Sequence, residues 1–187
     1  MKLILGSASP RRLEILKQAN IVPVKIIPAD IDEKPKAGEL PIKYCERIAL
    51  EKVNAISGGA DEIILTADTT VSVGRRIMGK PKHPDEAIKF LKLLSGRRHK
   101  VITAIAVKNA QEIRKKAVIS SVKFKNLSSH DIDYYISSGE WKGKAGGYAI
   151  QGLGSEFIPW ISGSYSGVVG LPIAQTISVL KSLGWAT

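Results

Sequence analysis

The chain has 187 residues, of which 44% are hydrophobic and 24% charged, and its formal net charge is +11. That length fits one large domain or a two-lobed one, and the apolar share excludes a chain that is mainly disordered. The charge invites phosphate-rich partners, nucleic acid included, but the runs Lys34–Lys36 and Arg114–Lys116 are short, so a solvated basic surface is the default reading.

In chain order, Leu3–Leu5 reads as a buried strand closed by Gly6. Pro10 then suits a first helical turn, where its missing N–H costs nothing, and Leu13, Leu16 and Ala19 follow at helical spacing. Val22–Ile27 reads as a second strand, and Pro28–Leu40 as a charged loop with Asp30, Asp32 and Glu33. Pro41–Ser57 repeats Tyr44, Cys45, Ile48, Ala49 and Val53 at helical spacing and stops at Gly58-Gly59. Ile63–Ala67 is an apolar run, hence a central strand, and Thr70–Val73 and Arg76–Met78 form a hairpin about Gly74. Pro84–Leu94 is a helix with Asp85 and Glu86 where its dipole favours them. Lys100–Lys108 and Glu112–Phe124 are long antiparallel strands, and Ser129 or His130 caps a helix through Ile136. Gly139–Gly154 is glycine-rich, Phe157–Ile161 and Val168-Val169 are strand-like, and Pro172–Leu183 is a closing amphipathic helix. This alternation predicts a mixed α/β fold rather than a bundle or barrel.

Cys45 is the one cysteine, so no internal disulfide forms; it belongs to the apolar side of its helix, and a core role outweighs catalysis. Met1–Leu5 is too short for a signal peptide, and no stretch nears the ~20 apolar residues of a membrane span. The expectation is a soluble, cytoplasmic protein without a membrane partner.

Several segments carry chemistry. Ser7-Ala8-Ser9-Pro10-Arg11-Arg12 joins a strand to a helix N-terminus, whose free N–H groups, with serine donors and arginine forks, suit a polyphosphate. The same residues also describe a capped helix with two solvated arginines, and the Gly-Lys-Ser/Thr of a Walker loop is missing. Asp68, in Ala67-Asp68-Thr69-Thr70, falls at the end of the apolar run, where ligands of open α/β sheets bind. A carboxylate there suits Mg²⁺ or Mn²⁺ better than it suits packing. Lys52, Lys80 and Lys82 are compact cations for phosphate, or solvated lysines. In Lys144-Ala145-Gly146-Gly147-Tyr148-Ala149-Ile150-Gln151-Gly152, glycines allow close approach, Tyr148 offers a stacking face, and Gln151 can both donate to and accept from a base. His83, His99 and His130 lack metal-ligand spacing, and Ser7 lacks a partner base, so neither a zinc site nor covalent catalysis is expected.

In order and spacing these segments resemble the Maf family, the septum-formation-inhibitor-like nucleotide pyrophosphatases. The match also includes Glu51-Lys52, Gly79-Lys80-Pro81, Leu94-Ser95-Gly96 with His99, Gly163-Ser164-Tyr165 and Val168-Val169-Gly170-Leu171-Pro172. The resemblance implies one Maf-like domain over residues 1–187, with two lobes around a cleft like that of inosine-triphosphate pyrophosphatases, and a homodimer. It implies metal-assisted attack of water on the α-phosphorus of a nucleoside triphosphate. Asp68 then matches the family's catalytic base, and Glu33 an acidic site residue, the two holding a divalent Mg²⁺ or Mn²⁺. Arg12, Lys52 and Lys80 match the phosphate-contacting set, and Ser7 belongs to the same substrate-binding segment. Arg11, Thr69 and Gln151 match three positions that sort substrates, here in the manner of the branch that prefers dTTP and UTP. A competing class, a nucleic-acid-binding or cell-division regulatory protein acting through its basic surface, predicts aromatics interleaved with the basic residues. Aromatic residues make up only 6% and most fall late in the chain, which disfavours that class.

Overall fold

The computed structural model describes residues 1–186, and its centre is a single long strand, β3 (Glu62–Val73). The apolar run at 63–67 is therefore the first half of a strand that continues past Asp68 through Val71 and Val73. The remaining strands are β1 (Lys2–Leu5), β2 (Lys25–Ile26), β4 (Arg76–Met78), β5 (Arg98–Lys108), β6 (Ile113–Lys123) and β7 (Trp160–Ser162). They order as β2-β1-β3-β5-β6-β7, with β4 also beside β3. β1 and β2 run parallel to their neighbours, and the other pairings are antiparallel, so the sheet is mixed as expected.

The two edges of β3 differ. On one edge β5 pairs with it from Ile64 to Ser72. On the other, β1 pairs with Glu62–Leu65 and β4 with Val71–Val73, and no described strand pairs with the residues between. β1 runs parallel and β4 antiparallel to β3, so the chain leaving β1 at Gly6 and the chain leaving β4 at Gly79 enter this gap from opposite ends. This gap positions the site.

Strand alternation sends successive side chains to opposite faces. Ile64 packs with Ile4, Ala104 and Ala106 against Cys45, Ala49 and Val53 of α2 (Pro41–Asn54). Ile63, Leu65 and Ala67 pack on the other face with Leu16 of α1 (Pro10–Gln18) and Leu180 of α6 (Ile173–Ser182). Farther along that face, Val71 and Val101 meet Phe90 and Leu91 of α3 (Pro84–Leu94) and Tyr135 of α4 (Ser129–Ser138). Each fully buried Ile, Leu, Val or Phe among these contributes about 1.5–3 kcal/mol relative to exposure.

Four expected assignments change. The second strand shrinks to Lys25–Ile26, because Pro23 has no N–H to give a ladder and the strand is an exposed edge. Val168-Val169 lies not in a strand but in α5 (Tyr165–Val169), where the Ser164 hydroxyl caps the helix by accepting the Gly167 N–H. That local hydrogen bond outweighs the strand preference of two β-branched residues. Phe157 ends a 3₁₀ turn, leaving Trp160–Ser162 as the strand. The cap of α4 is Ser128, in a reciprocal capping box with Asp131, rather than Ser129 or His130.

Candidate active site

A cleft of about 500 Å³ opens at the gap beside β3. Asp68 and Thr69 point to opposite faces of the sheet, yet both line it, because at an unpaired edge the cleft reaches both faces. The loop after β1 contributes Ser7 and the first turn of α1 Arg11 and Arg12; the loop after β4 contributes Lys80; α2 contributes Lys52; and the glycine-rich segment contributes Lys142, Lys144 and Gln151. The site residues implied by the family resemblance thus all line one cleft, from stretches as far apart as Ser7 and Gln151.

Arg12 is the most constrained of the cations. Its Nε donates to the Gly170 carbonyl at 2.9 Å, one Nη to Ser7 Oγ at 3.0 Å and the other to Thr69 Oγ1 at 3.3 Å. Thr69 Oγ1 also lies 3.0 Å from Thr103 Oγ1, whose hydroxyl donates to the Gly167 carbonyl at 2.7 Å. Burial lowers the pKa of the Arg12 guanidinium below its ordinary value, and the charge of Asp68 partly opposes this. Thr69 therefore buttresses Arg12 as well as facing the cleft.

On the other side, Lys52 Nζ sits between two carboxylates, 2.7 Å from Glu33 Oε1 and 3.0 Å from Asp68 Oδ1. The lysine and Asp68 are buried at side-chain exposures of 10% and 9%, whereas Glu33 is wetted at 41%. Buried charges are retained only when paired, so each here needs the other. Thr70 Oγ1 donates to Asp68 Oδ2 at 3.2 Å, and the Cys45 thiol donates to the Asp68 carbonyl at 3.3 Å. Burial pushes the Cys45 thiol up to about 12, which keeps it a packing group. Asp68 is not at a strand end, as the sequence suggested; it is mid-strand, where its neighbour β1 has ended. Of the three acids in the preceding loop, Glu33 turns inward, while Asp32 accepts the Lys34 N–H at the surface. Tyr44 of α2 holds that loop by donating to the Glu33 carbonyl at 2.8 Å.

The glycine-rich wall is different. The side chains of Arg11, Lys80 and Gln151 line the cleft with no hydrogen bond or ion pair among the described residues. Lys82 lies outside the cleft, its backbone N–H donating to Glu86. Gly146 packs against Val71 with φ at +69° and donates to the Gly79 carbonyl at 3.0 Å, which a side chain would prevent. Tyr148 is not a free stacking face. Its ring is buried edge-on against His99 and Phe124, with its hydroxyl 2.7 Å from His99 Nε2. Burial pushes His99 down to about 4, so the ring is neutral near pH 7. Sequence reasoning missed Thr70, Thr103 and the Gly170 carbonyl, which no local pattern marks, and Lys142, which the repeat Lys142-Gly143-Lys144 could have flagged.

An α/β fold that gathers arginines and lysines around a cleft with a buried carboxylate defines a binder of polyanions such as polyphosphates. The comparisons with known proteins make this class more specific. A family model described as Maf-like protein matches residues 2–183, and the chain belongs to that family. It is 56% identical over 184 residues to a dTTP/UTP pyrophosphatase of Cereibacter sphaeroides, covering 98% of this chain and 96% of that one. Identity to a dTTP/UTP pyrophosphatase of Roseobacter denitrificans is also 56%, over 182 residues and 97% of each chain. The structure of a HAM1 protein from Coxiella burnetii aligns over 97% of this chain and 99% of its own, with a TM-score of 0.52 at 17% identity, and so shares the fold. Among the described residues, no helix is long and apolar enough to cross a membrane.

Proposed function

We propose that this chain hydrolyses dTTP and UTP to the monophosphate and pyrophosphate. The observation that carries the proposal is the Asp68–Lys52–Glu33 cluster, set in a cleft whose other charged residues are arginines and lysines. The relatives' names supply the substrate pair, and they favour hydrolysis over a nucleic-acid or regulatory role. The unit is taken as one Maf-like domain over residues 1–187, with lobes on either side of the cleft, acting as a cytoplasmic homodimer.

The donor set fits a divalent cation. Oxygens of Asp68 and Glu33 already converge within 3.0 Å of one cationic nitrogen, and both are hard ligands. Among the described residues no group of three or more His, Cys, Asp or Glu forms a cage. An ion held by Asp68 and Glu33 therefore leaves coordination for phosphate oxygens and water, as Mg²⁺ and Mn²⁺ prefer. When bound, such an ion supplies charge neutralisation and a more acidic water.

The protein's own groups do the rest. Asp68, oriented by Thr70 and Lys52, takes the proton of the attacking water. Arg12, already fixed by three hydrogen bonds, meets the phosphates without reorganising. Lys80 and Lys52 stabilise charge on the departing pyrophosphate. Ser7 contributes a hydroxyl at the helix N-terminus, and Arg11, Thr69 and Gln151 sort the base. A panel of nucleoside triphosphates with Mg²⁺ tests this, read as released pyrophosphate. In ¹⁸O water the label is expected on the monophosphate, and label on free orthophosphate overturns the reaction class.

A further inference from the structure

Gln151 faces the cleft with an exposed side chain, so its aim depends on its backbone. That backbone is a short segment, 149–154, folded tightly on itself: a side chain at Gly154 would come within 2.6 Å of the Ala149 carbonyl oxygen. The segment is anchored on both sides of Gln151 from α4 and its exit. Upstream, the Tyr135 hydroxyl accepts the Ala149 N–H at 3.2 Å. Downstream, the two carboxylate oxygens of Glu140 accept the Leu153 and Gly154 N–H groups at 2.9 and 3.0 Å. The carboxylate also rests against Gly152, where an added Cβ would collide with it. Glu140 is itself fixed, since Gly139 ends α4 in the left-handed conformation and Ser138 Oγ accepts the Glu140 N–H at 3.2 Å.

We propose that Glu140 is a positioning residue for base selection: by gripping the 152–154 backbone it sets the aim of Gln151 and so the preference for pyrimidine triphosphates. It does not line the cleft. Carboxylate-to-amide bonds are charge-assisted and stronger than neutral ones, which suits the only side-chain grip on the downstream half of this segment among the described residues. A displacement of about 1 Å at a recognition group is enough to lose much of its effect. Glu140 also favours the Lys144 ammonium, which burial and the nearby charge of Arg11 disfavour. The inference rests on the reading of Gln151 as a base-sorting residue.

The test uses E140Q, which keeps the size but turns an amide NH₂ toward one of the two N–H donors. The kcat/KM ratio of dTTP to GTP is expected to fall by at least about tenfold. Inhibition by inorganic tripolyphosphate should change far less than that ratio, since Arg12, Lys52 and Lys80 are untouched and Glu140 reaches only Lys144 among the cleft's lysines. G152A places a Cβ against the same carboxylate and should reproduce the loss, so it carries the test if E140Q folds poorly. An unchanged ratio in both variants overturns the proposal, as does an equal loss for dTTP and GTP, which is what a purely structural role gives. A wild-type protein with no preference for dTTP over GTP overturns the reading of Gln151 itself and this proposal with it. That outcome is distinguishable because it needs no variant.

Discussion

The two walls of the cleft are built on opposite plans. On the α2 side the charged groups are matched: Lys52 holds Asp68 and Glu33, and Thr70 takes the remaining Asp68 oxygen. On the glycine-rich side Arg11, Lys80 and Gln151 stand with no hydrogen-bond partner among the described residues. Burial explains the difference for Lys80 and Gln151, which are exposed; Arg11 is half-buried, and that burial lowers its guanidinium pKa. Charges withdrawn from water must be paired where they are, whereas a wetted lysine or glutamine can wait for a ligand at little cost. The paired wall is thereby preorganised for chemistry, where groups that need not reorganise stabilise the transition state best. The unpaired wall keeps its donors and acceptors available for recognition. Arg12 and Thr69 stand between the two, each facing the cleft and each bonded to the fold.

The sharpest way to separate the walls is Asp68→Asn. The amide oxygen still accepts from Lys52, and its NH₂ takes the other position, where the Thr70 hydroxyl turns to accept it, so the cluster stays filled, but the amide cannot take a proton. Hydrolysis of dTTP should fall by roughly 10²–10⁴-fold, the usual worth of a general base, while the chain stays folded with a lowered thermal midpoint, because Lys52 keeps Glu33 but loses its buried partner. Turnover close to wild type would remove Asp68 from the mechanism and leave the paired wall as scaffolding.

How much of this was legible in the sequence also divides along the walls. The order of elements, the burial of Cys45 and the segments that meet at the cleft were readable, because apolar periodicity and local motifs record them. The position of Asp68 within its strand was not. The apolar residues continue through Val71 and Val73, and nothing in β3 reports where its neighbour β1 stops. Nor could local pattern choose among Asp30, Asp32 and Glu33; only the family resemblance singled out Glu33, and the fold brings it to Lys52 in a loop held by Tyr44. Tyr148 misled for a similar reason: its polar tip found His99, and its ring went to the core. The tie between Arg12 and Gly170 spans 158 residues and has no local signature.

A second test asks whether the paired wall is held together by its own charges. Lys52→Met removes the one cation between Asp68 and Glu33 while filling similar volume. Breaking a buried pair costs about 3–5 kcal/mol, and the lower end applies here because Glu33 is partly wetted. Urea denaturation should show that loss. In an Asp68→Asn background the same substitution should cost less by about 1 kcal/mol or more, since one stranded charge is already gone. Additive effects would mean that Lys52 and Asp68 are neighbours without being coupled.

The smallest effect is expected on the unpaired wall. Gln151 is exposed, so Gln151→Glu should leave stability alone and change only recognition. The amide offers both a donor and an acceptor, which matches a uracil or thymine edge with its carbonyl and N–H. A carboxylate only accepts. It can still meet the N–H, but it faces the base carbonyl with a like-signed oxygen, leaving that carbonyl without a donor. A guanine edge, with two adjacent donors, suits a carboxylate better. An unpaired polar group costs about 1–3 kcal/mol, so kcat/KM for dTTP should fall roughly 10–200-fold while GTP falls less or gains. The added charge also repels phosphate, and inhibition by inorganic tripolyphosphate measures that part separately; the loss on dTTP should exceed it. If dTTP, GTP and tripolyphosphate all weaken by the same factor, Gln151 senses only charge, and the glycine-rich wall does not read the base through this residue.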